Sequence, residues 1–414
     1  MAEAWIIDAV RTPRGIGKKG KGSLSEIHPQ MLGAAVLKAL AERNNLNTSD
    51  VEDIIWGTSR QVGSQGVDLG RMAALSAGYD MHSSAVTIDR FCGTGITTVN
   101  LAAGMIMSGL EDLIVAGGTE VMSSYDVNNS TNPDAQGMLD AGNLYLRKRY
   151  PQPHQGVAAD AIATLEKIPR SALDEHAYSS QQRAAQAIAE GRFDKSLIPV
   201  FHEDGSVALD HEEFPRPSTT VESLANLAPA FPAIADFPLN EEGLTFRQMV
   251  KQVYPDLDIE HVHHAGNSSG VVDGAAALLL ASPDYAKAHG MKPRARIVTT
   301  ANIGDDPTLM LNAPVPAAKK VLAKAGLSIS DIDLFEINEA FAVVSEKFMR
   351  DLDLDRDKVN VNGGAMALGH PIGATGAILI GTVLDELERQ DKQFGLVTMC
   401  AAGGMAPAVI IERI

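Results

Sequence analysis

The residues best able to do chemistry in this 414-residue chain are Cys92, Cys400 and His370. Cys92 follows a predicted strand at 85–88 and opens a helix through Gly93-Thr94-Gly95. The unpaired N–H groups and dipole of that helix are expected to favour the thiolate, the nucleophilic form of the side chain. The two glycines leave the approach to the sulfur clear. Cys400 ends a strand at 396–399, and the Ala401-Ala402-Gly403-Gly404 run behind it offers backbone N–H groups to an oxyanion. Either cysteine could instead be a buried structural thiol. His370 stands between Gly369 and Pro371 in a stretch, 362–376, that holds five glycines. Pro371 fixes its own φ, biases His370 away from the α region and suits the first turn of a helix that continues through 374–377. An imidazole is thus presented on a rigid loop at a helix start. Asn338, in Asn338-Glu339-Ala340-Phe341, closes a strand at 334–337, where its amide could position water or a carbonyl.

The elements that must hold these residues alternate. Strands are predicted at 4–10, 54–57, 85–88, 113–118 and 295–299, and helices at 30–43, 70–78 and 97–109, with glycine turns between them. That rhythm indicates a mostly parallel α/β sheet covered on both faces. Cys92, Asn338 and Cys400 each end a strand, where open α/β sheets bind ligands. Residues 123–260 break the rhythm with a basic run at Arg147-Lys148-Arg149, a long helix at 171–191 and proline-rich patches, and read as an excursion over the site. The apolar segment 270–281, helix or strand, returns to the core.

An internal repeat organises the whole. Ser49-Asp50-Val51-Glu52-Asp53-Ile54-Ile55 resembles Ser330-Asp331-Ile332-Asp333-Leu334-Phe335-Glu336, an offset of 330 − 49 = 281 residues. The same offset carries Gly93-Thr94-Gly95 onto Ala374-Thr375-Gly376, so two halves of one fold are expected to bring the Cys92 and His370 junctions together.

Composition narrows the partners. With 45 % hydrophobic and 21 % charged residues the chain is an ordinary globular protein, and a net charge of −17 argues against nucleic acid or an anionic membrane as partner. No stretch approaches a membrane span. Two cysteines point to a reducing compartment. With no signal segment expected before the first strand and no address at the C-terminus, the expected location is cytoplasmic. His263-His264 has no third ligand at helical spacing, so both are read as loop residues and no metal is expected.

The chain resembles the thiolases over essentially its whole length. The resemblance rests on Arg11-Thr12-Pro13, Cys92-Gly93-Thr94-Gly95, Ala116-Gly117-Gly118-Thr119-Glu120, Gly266-Asn267-Ser268-Ser269-Gly270 with Asp273-Gly274-Ala275-Ala276, Asn338-Glu339-Ala340-Phe341, Gly369-His370-Pro371-Ile372-Gly373 and Cys400 with its glycines. It implies two βαβαβαββ halves in five αβαβα layers, at 1–121 plus 261–289 and at 290–414, with an inserted loop domain at 122–260. It also implies an acyltransferase that works through an acyl-enzyme. His370 would take the Cys92 proton, Cys92 would attack the 3-keto carbon of a 3-ketoacyl-CoA, and Cys400 would protonate the departing acetyl-CoA carbanion. One oxyanion hole would combine His370 with a water held by Asn338. The other would use the backbone N–H groups of Cys92 and Ala402. Coenzyme A and acyl-CoA are substrates, with no permanently bound cofactor. Similarity assigns Leu227 and Phe231 to the pantetheine pocket, Ser269 to its hydrogen bond, and Arg216 or the 147–149 run to the CoA phosphates. A homodimer or homotetramer is expected, with a hydratase–dehydrogenase partner left open.

Departures from the family pattern bear on substrate. Gln155 stands in His154-Gln155-Gly156 where biosynthetic thiolases have a Met that restricts the acyl pocket. The segment between Phe231 and His261 is longer, and Ala402 replaces a glycine. Together these favour a degradative 3-ketoacyl-CoA thiolase over a biosynthetic acetyl-CoA acetyltransferase. A non-catalytic acyl-CoA or lipid-binding protein is disfavoured by the intact Cys92, His370 and Cys400. A decarboxylating condensing enzyme is disfavoured by Asn338 and the second cysteine.

Overall fold

The computed structural model describes residues 3–125, 138–240 and 243–414. Twelve strands occur among them: β1 (Trp5–Arg11), β2 (Gly15–Ile16), β3 (Asp53–Gly57), β4 (Val86–Ile88), β5 (Leu113–Val121), β6 (Val200–Phe201), β7 (Val207–Leu209), β8 (Val272–Ala281), β9 (Ala295–Gly304), β10 (Leu334–Ile337), β11 (Phe394–Thr398) and β12 (Met405–Arg413). The apolar segment 270–281 is therefore a strand, buried at all ten positions of β8.

The strands fall into two sets with one topology. In the first half the order is β4-β3-β5-β8-β1; in the second it is β10-β11-β12-β9. The place of β4 is taken there by one parallel bridge, Phe335 to Val359. β3–β5 and β10–β11 are parallel, and the pairs that follow from them toward the junction of the two sets are antiparallel in both halves. Register agrees as well: Asp53 faces Ile114, and Leu334 faces Gly395, each 281 residues further on. Both halves even skip one residue at matching places, Ile7 in β1 and Val298 in β9. Among the described residues the two sets are joined where Trp5 and Ile6 pair with Arg296 and Ala295.

Alternation along the strands sorts side chains into layers, because successive residues face opposite sides of a sheet. Ile54, Trp56, Leu113 and Val115 pack outward under the helices Pro29–Arg43 and Leu69–Ser76. Ile55, Ile114 and Ala116 point inward to the helices Thr94–Ser108 and Ile372–Arg389, which also receive Leu334, Val397 and Met399 of the second sheet. The outer face of the second half, with Phe335, Ile337 and Leu396, is covered by Pro314–Ala325 and Ala342–Asp351. Five layers result, with two helices in the middle one.

Those two helices cross at repeat-matched glycines. A Cβ on Gly376 would lie 2.0 Å from Ile96 N, and one on Gly95 would lie 2.7 Å from Gly376 N, so only hydrogen fits at either position. One stretch of this central layer has the length and mean composition of a membrane span, though Thr94, Thr97, Thr98 and Asn100 interrupt it. Phe91–Ser108 is long and apolar enough, with a mean hydropathy of 1.2. Its apolar residues are instead spent between the sheets.

The segment from 122 to 260 carries the helices Gln155–Leu165 and Arg170–Ala189. Residues 126–137 and 241–242 of that stretch lie outside the described residues. It is tied to the end of β1 by Glu212, which pairs with Arg11 at 2.7 Å and Arg14 at 2.6 Å, all three buried. An ion cluster out of water holds only when each charge is paired.

Candidate active site

Cys92 lies in a tight corner between β4 and the helix Thr94–Ser108. Phe91 N donates to Asp89 Oδ1 (2.6 Å), Arg90 N donates to Thr94 Oγ1 (2.8 Å), and Thr94 Oγ1 donates to Phe91 O (2.6 Å). The corner forces Phe91 to φ +48°, a strained value for an aromatic residue of the kind that gathers at functional sites. The Cys92 sulfur is faced by the backbone N–H groups of Cys92 itself and of Ala402. The thiolate is nevertheless not the resting form expected from the helix dipole. Burial, with Glu120 and Asp89 nearby, outweighs those two N–H groups and pushes the thiol up to about 12.

The Cys400 turn packs directly on this corner. A Cβ on Gly93 would meet Pro407 Cδ at 2.8 Å and Ala401 Cβ at 3.2 Å. Ala401 and Met405 exchange backbone hydrogen bonds of 2.7 and 3.1 Å, which closes the turn. Cys400 is fully buried, and burial together with the neighbouring Cys92 raises its thiol as well. Both thiols are protonated at neutral pH, so a base is needed.

His370 has the properties of that base. Its backbone N–H donates to Gly270 O (2.9 Å), and its Nδ1 lies 2.6 Å from Thr375 Oγ1. The single Thr375 hydroxyl proton is committed to Pro371 O at 3.0 Å, so Oγ1 accepts from Nδ1–H and the lone pair is left on Nε2. Nε2 is buried and has no partner among the described residues. Burial holds the imidazole neutral, with its pKa lowered to about 3. Pro371 is the N-cap of the helix Ile372–Arg389 rather than a residue of its first turn.

Asn338 leaves both amide atoms buried and without a partner among the described residues. In a folded interior such a group calls for a ligand or water. Its loop is laced to the His370 loop: Ser269 N donates to Ala340 O (2.9 Å), Gly270 N to Ala365 O (3.0 Å), and His370 N to Gly270 O. Glu339 adds a second tie, accepting from Met366 N (3.2 Å), Asn360 Nδ2 (2.9 Å) and Ser180 Oγ (2.7 Å).

The expected CoA contacts divide. Phe231 packs against His154 (5.6 Å between ring centroids) and Phe341 (5.9 Å), beside the Asn338 loop. Leu227 is exposed, with a methyl directed at the Gly266 turn. The Ser269 backbone belongs to the same lacing, and its side chain makes no hydrogen bond to a described residue. Arg216 is exposed, lies over the Phe214 ring at 5.7 Å and forms no ion pair among the described residues. Of the basic run, Arg147 is buried in a two-bonded pair with Asp140 (2.8 and 2.9 Å), while Lys148 and Arg149 are exposed. Gln155 is exposed at the first turn of Gln155–Leu165, next to the His154 N-cap. His263 and His264 are each bound to a buried aspartate, Asp160 at 2.7 Å and Asp174 at 2.8 Å.

Three residues about the site had no role assigned from sequence: Thr375, Glu120 and Glu339. The repeat could have pointed to the first, since the 281-residue offset takes Asp89 to His370 and Thr94 to Thr375. The Thr94–Asp89 contact of 3.5 Å is the first-half counterpart of the Thr375–His370 bond.

Known proteins are similar to this chain over its whole length. Residues 4–234 match the thiolase N-terminal domain and residues 291–413 the thiolase C-terminal domain. A steroid 3-ketoacyl-CoA thiolase of Mycobacterium tuberculosis is 38% identical, with 100% of this chain and 95% of the relative aligned. A beta-ketoadipyl-CoA thiolase of Acinetobacter baylyi is 37% identical over 100% of both chains. The crystal structure of a Bacillus anthracis acetyl-CoA acetyltransferase superposes with a TM-score of 0.83 at 33% identity, covering 100% of this chain and 99% of the other. This chain belongs to the thiolase family and is an acyltransferase.

Proposed function

We propose that this thiolase works in the degradative direction, cleaving a 3-ketoacyl-CoA with a second CoA to give acetyl-CoA and a shortened acyl-CoA. His370 Nε2 takes the Cys92 proton as the sulfur attacks the 3-keto carbon, and the N–H groups of Cys92 and Ala402 receive the oxyanion. The C2–C3 bond breaks, and the acetyl-CoA enolate, held by His370 and a water on Asn338, is protonated by Cys400. CoA then attacks the thioester on Cys92, its thiol proton passing to the Cys400 thiolate; His370 returns its proton to Cys92 as the C–S bond breaks, and the shortened acyl-CoA leaves.

The observation that carries this reading is His370, a neutral, buried imidazole whose Nδ1 is pinned by Thr375 and whose Nε2 has no partner among the described residues. Gln155 in place of the restricting Met, and the 3-ketoacyl-CoA thiolase names among the relatives, support the broader substrate class. Phe231 and Leu227 line the pantetheine, Ser269 hydrogen-bonds it, and Arg216 meets the CoA phosphates.

A biosynthetic acetyl-CoA acetyltransferase is the second reading, favoured by the B. anthracis structure and by an acetyl-CoA acetyltransferase of Paracoccus denitrificans at 36% identity. Thiolysis rates on acetoacetyl-CoA against longer and cyclic 3-ketoacyl-CoAs separate the two. A marked preference for acetoacetyl-CoA would sink the degradative reading.

The protein is further proposed to act in the cytoplasm, in fatty-acid β-oxidation, as a homodimer or homotetramer. The open edge of β4 with its exposed Val86 supports self-association, and light scattering in solution tests it.

A further inference from the structure

The repeat gives the site a counterpart in the first half. Adding 281 takes Cys92 to Gly373, Gly57 to Asn338 and Gly118 to Met399. The corner at the ends of β10 and β11 is thus matched by a corner at the ends of β3 and β5, and Gly373 fills that one. A Cβ on Gly118 would lie 2.2 Å from Gly373 O, and one on Gly373 would lie 2.6 Å from Thr58 Cα, so the first-half corner is closed by backbone.

What faces the N–H there is a carboxylate. Gly373 N, the counterpart of the Cys92 N–H, donates to Glu120 Oε2 at 2.9 Å. Glu120 is fully buried and accepts five more bonds: Ser59 N (2.9 Å), Ser59 Oγ (3.0 Å), Gln65 Nε2 (3.0 Å), Tyr125 Oη (3.1 Å) and Thr58 Oγ1 (3.3 Å). The helix Ile372–Arg389 begins at Pro371, which has no side chain able to cap it. Its second N–H is capped from the other half of the molecule, by a negative group at the positive end of the dipole.

We infer that Glu120 is a positioning residue for acyl transfer: seated in the first-half counterpart of the Cys92 N–H pocket, it fixes the start of the Ile372–Arg389 helix and hence His370 and Thr375. The carboxylate touches no substrate. It holds the half that carries the base in register with the half that carries the nucleophile. Its other partners among the described residues come from the turn after β3 in the first half and from Tyr125 at the start of the 122–260 segment, so the Gly373 bond is the link it makes to the second half.

The inference rests on His370 being the base, and the test keeps the two apart. Glu120→Ala and Glu120→Gln are compared with the unaltered protein for kcat, for the KM of acyl-CoA and CoA, and for the acyl adduct on Cys92 by mass spectrometry, each with and without added sodium formate. Glu120→Ala is expected to lower kcat on the order of 10²-fold, the cost of misplacing a catalytic group by about an ångström, with little change in KM. Formate, a carboxylate small enough for the vacated place, should restore part of the rate. Glu120→Gln, which keeps one acceptor for Gly373 N–H, should fall between the two. Unchanged kcat in a folded Glu120→Ala, or a loss that raises KM equally and ignores formate, overturns the inference. If Glu120→Ala does not fold, Glu120→Gln decides: a lower kcat at constant KM upholds it, and unaltered kcat overturns it. An unaltered protein that forms no adduct on Cys92 overturns both this inference and the proposed mechanism.

Discussion

His370 Nδ1 and Thr375 Oγ1 lie 2.6 Å apart, one turn into the helix that the histidine loop begins. Because the hydroxyl donates onward to Pro371 O, the bond selects one tautomer and leaves the reactive lone pair on Nε2. Thr375→Val keeps the shape and removes the acceptor. Its expected effect is a fall in the rate of Cys92 acylation of up to about 10²-fold, with substrate binding preserved. His370→Ala should cost on the order of 10²–10⁴-fold and leave the fold intact. Rapid-quench acylation with acetyl-CoA measures both, and equal rates for Thr375→Val and the unaltered protein would remove Thr375 from the mechanism.

The titration of the site sets a second expectation. With the Cys92 thiol pushed up to about 12 and His370 lowered to about 3, no thiolate–imidazolium pair exists at rest, and proton transfer accompanies attack. Alkylation of Cys92 by iodoacetamide in the substrate-free enzyme should therefore keep rising through pH 9, with no plateau near the ordinary thiol value. A plateau below pH 8 would mean a preformed thiolate.

Stability should fall on both sides of neutrality for the same reason. The unfolded chain binds a proton at His370 near the ordinary 6.5, while the folded chain does so only near 3. His154, lowered to about 4 by burial, acts in the same sense. Between those values the unfolded state holds more protons, so stability drops as pH falls through 6.5. The two thiols act in the opposite sense, because their folded values lie above the ordinary 9.0, and they withdraw stability as pH rises past it. Urea midpoints from pH 4 to 10 should form a dome, and His370→Ala should flatten its acid side. An acid side unchanged in that variant would separate His370 from the effect.

Much of this architecture could be read from the chain, and the reason is the repeat. Asp53 and Leu334 begin equivalent strands in equivalent register, so one sequence offset fixed the relation of the halves before any contact was known. Cys92 and the Ala402 N–H are 310 residues apart in sequence, yet each stands four residues past the end of a strand, β4 in the first half and β11 in the second, which a pattern of strands and glycines can locate. What could not be read was the balance of energies. The helix dipole at Cys92 is visible in sequence, but the burial and the Glu120 and Asp89 charges that outweigh it depend on packing. Arg147 looked like a free cation for the same reason, since its partner Asp140 is recognisable only once the turn between them is folded.

The central helix crossing gives a prediction about packing alone. Gly376 approaches Ile96 N so closely that Gly376→Ala must separate the two middle helices. Overpacking of this kind costs about 1–3 kcal/mol, and more where backbone opposes backbone. Calorimetry should register a lower Tm, and acylation should slow with it, because His370 and Cys92 sit at the near ends of the two helices. A stable Gly376→Ala with full activity would mean that the crossing is looser than its geometry.

Asn338 offers the opposite case, a residue whose removal should cost function and spare stability. Both amide atoms are buried with no protein partner among the described residues, so they add no hydrogen bond to the fold. Asn338→Ala removes no protein–protein hydrogen bond while deleting the group that would hold a water in the oxyanion hole with His370. Thiolysis should fall on the order of 10²–10³-fold, as for the loss of one oxyanion donor. The urea midpoint should stay level or rise, where an ordinary buried Asn→Ala change would lower it. The pairing of the two readouts is the test: a variant both slower and less stable would make Asn338 a structural amide, and one that keeps its rate would take it out of the site.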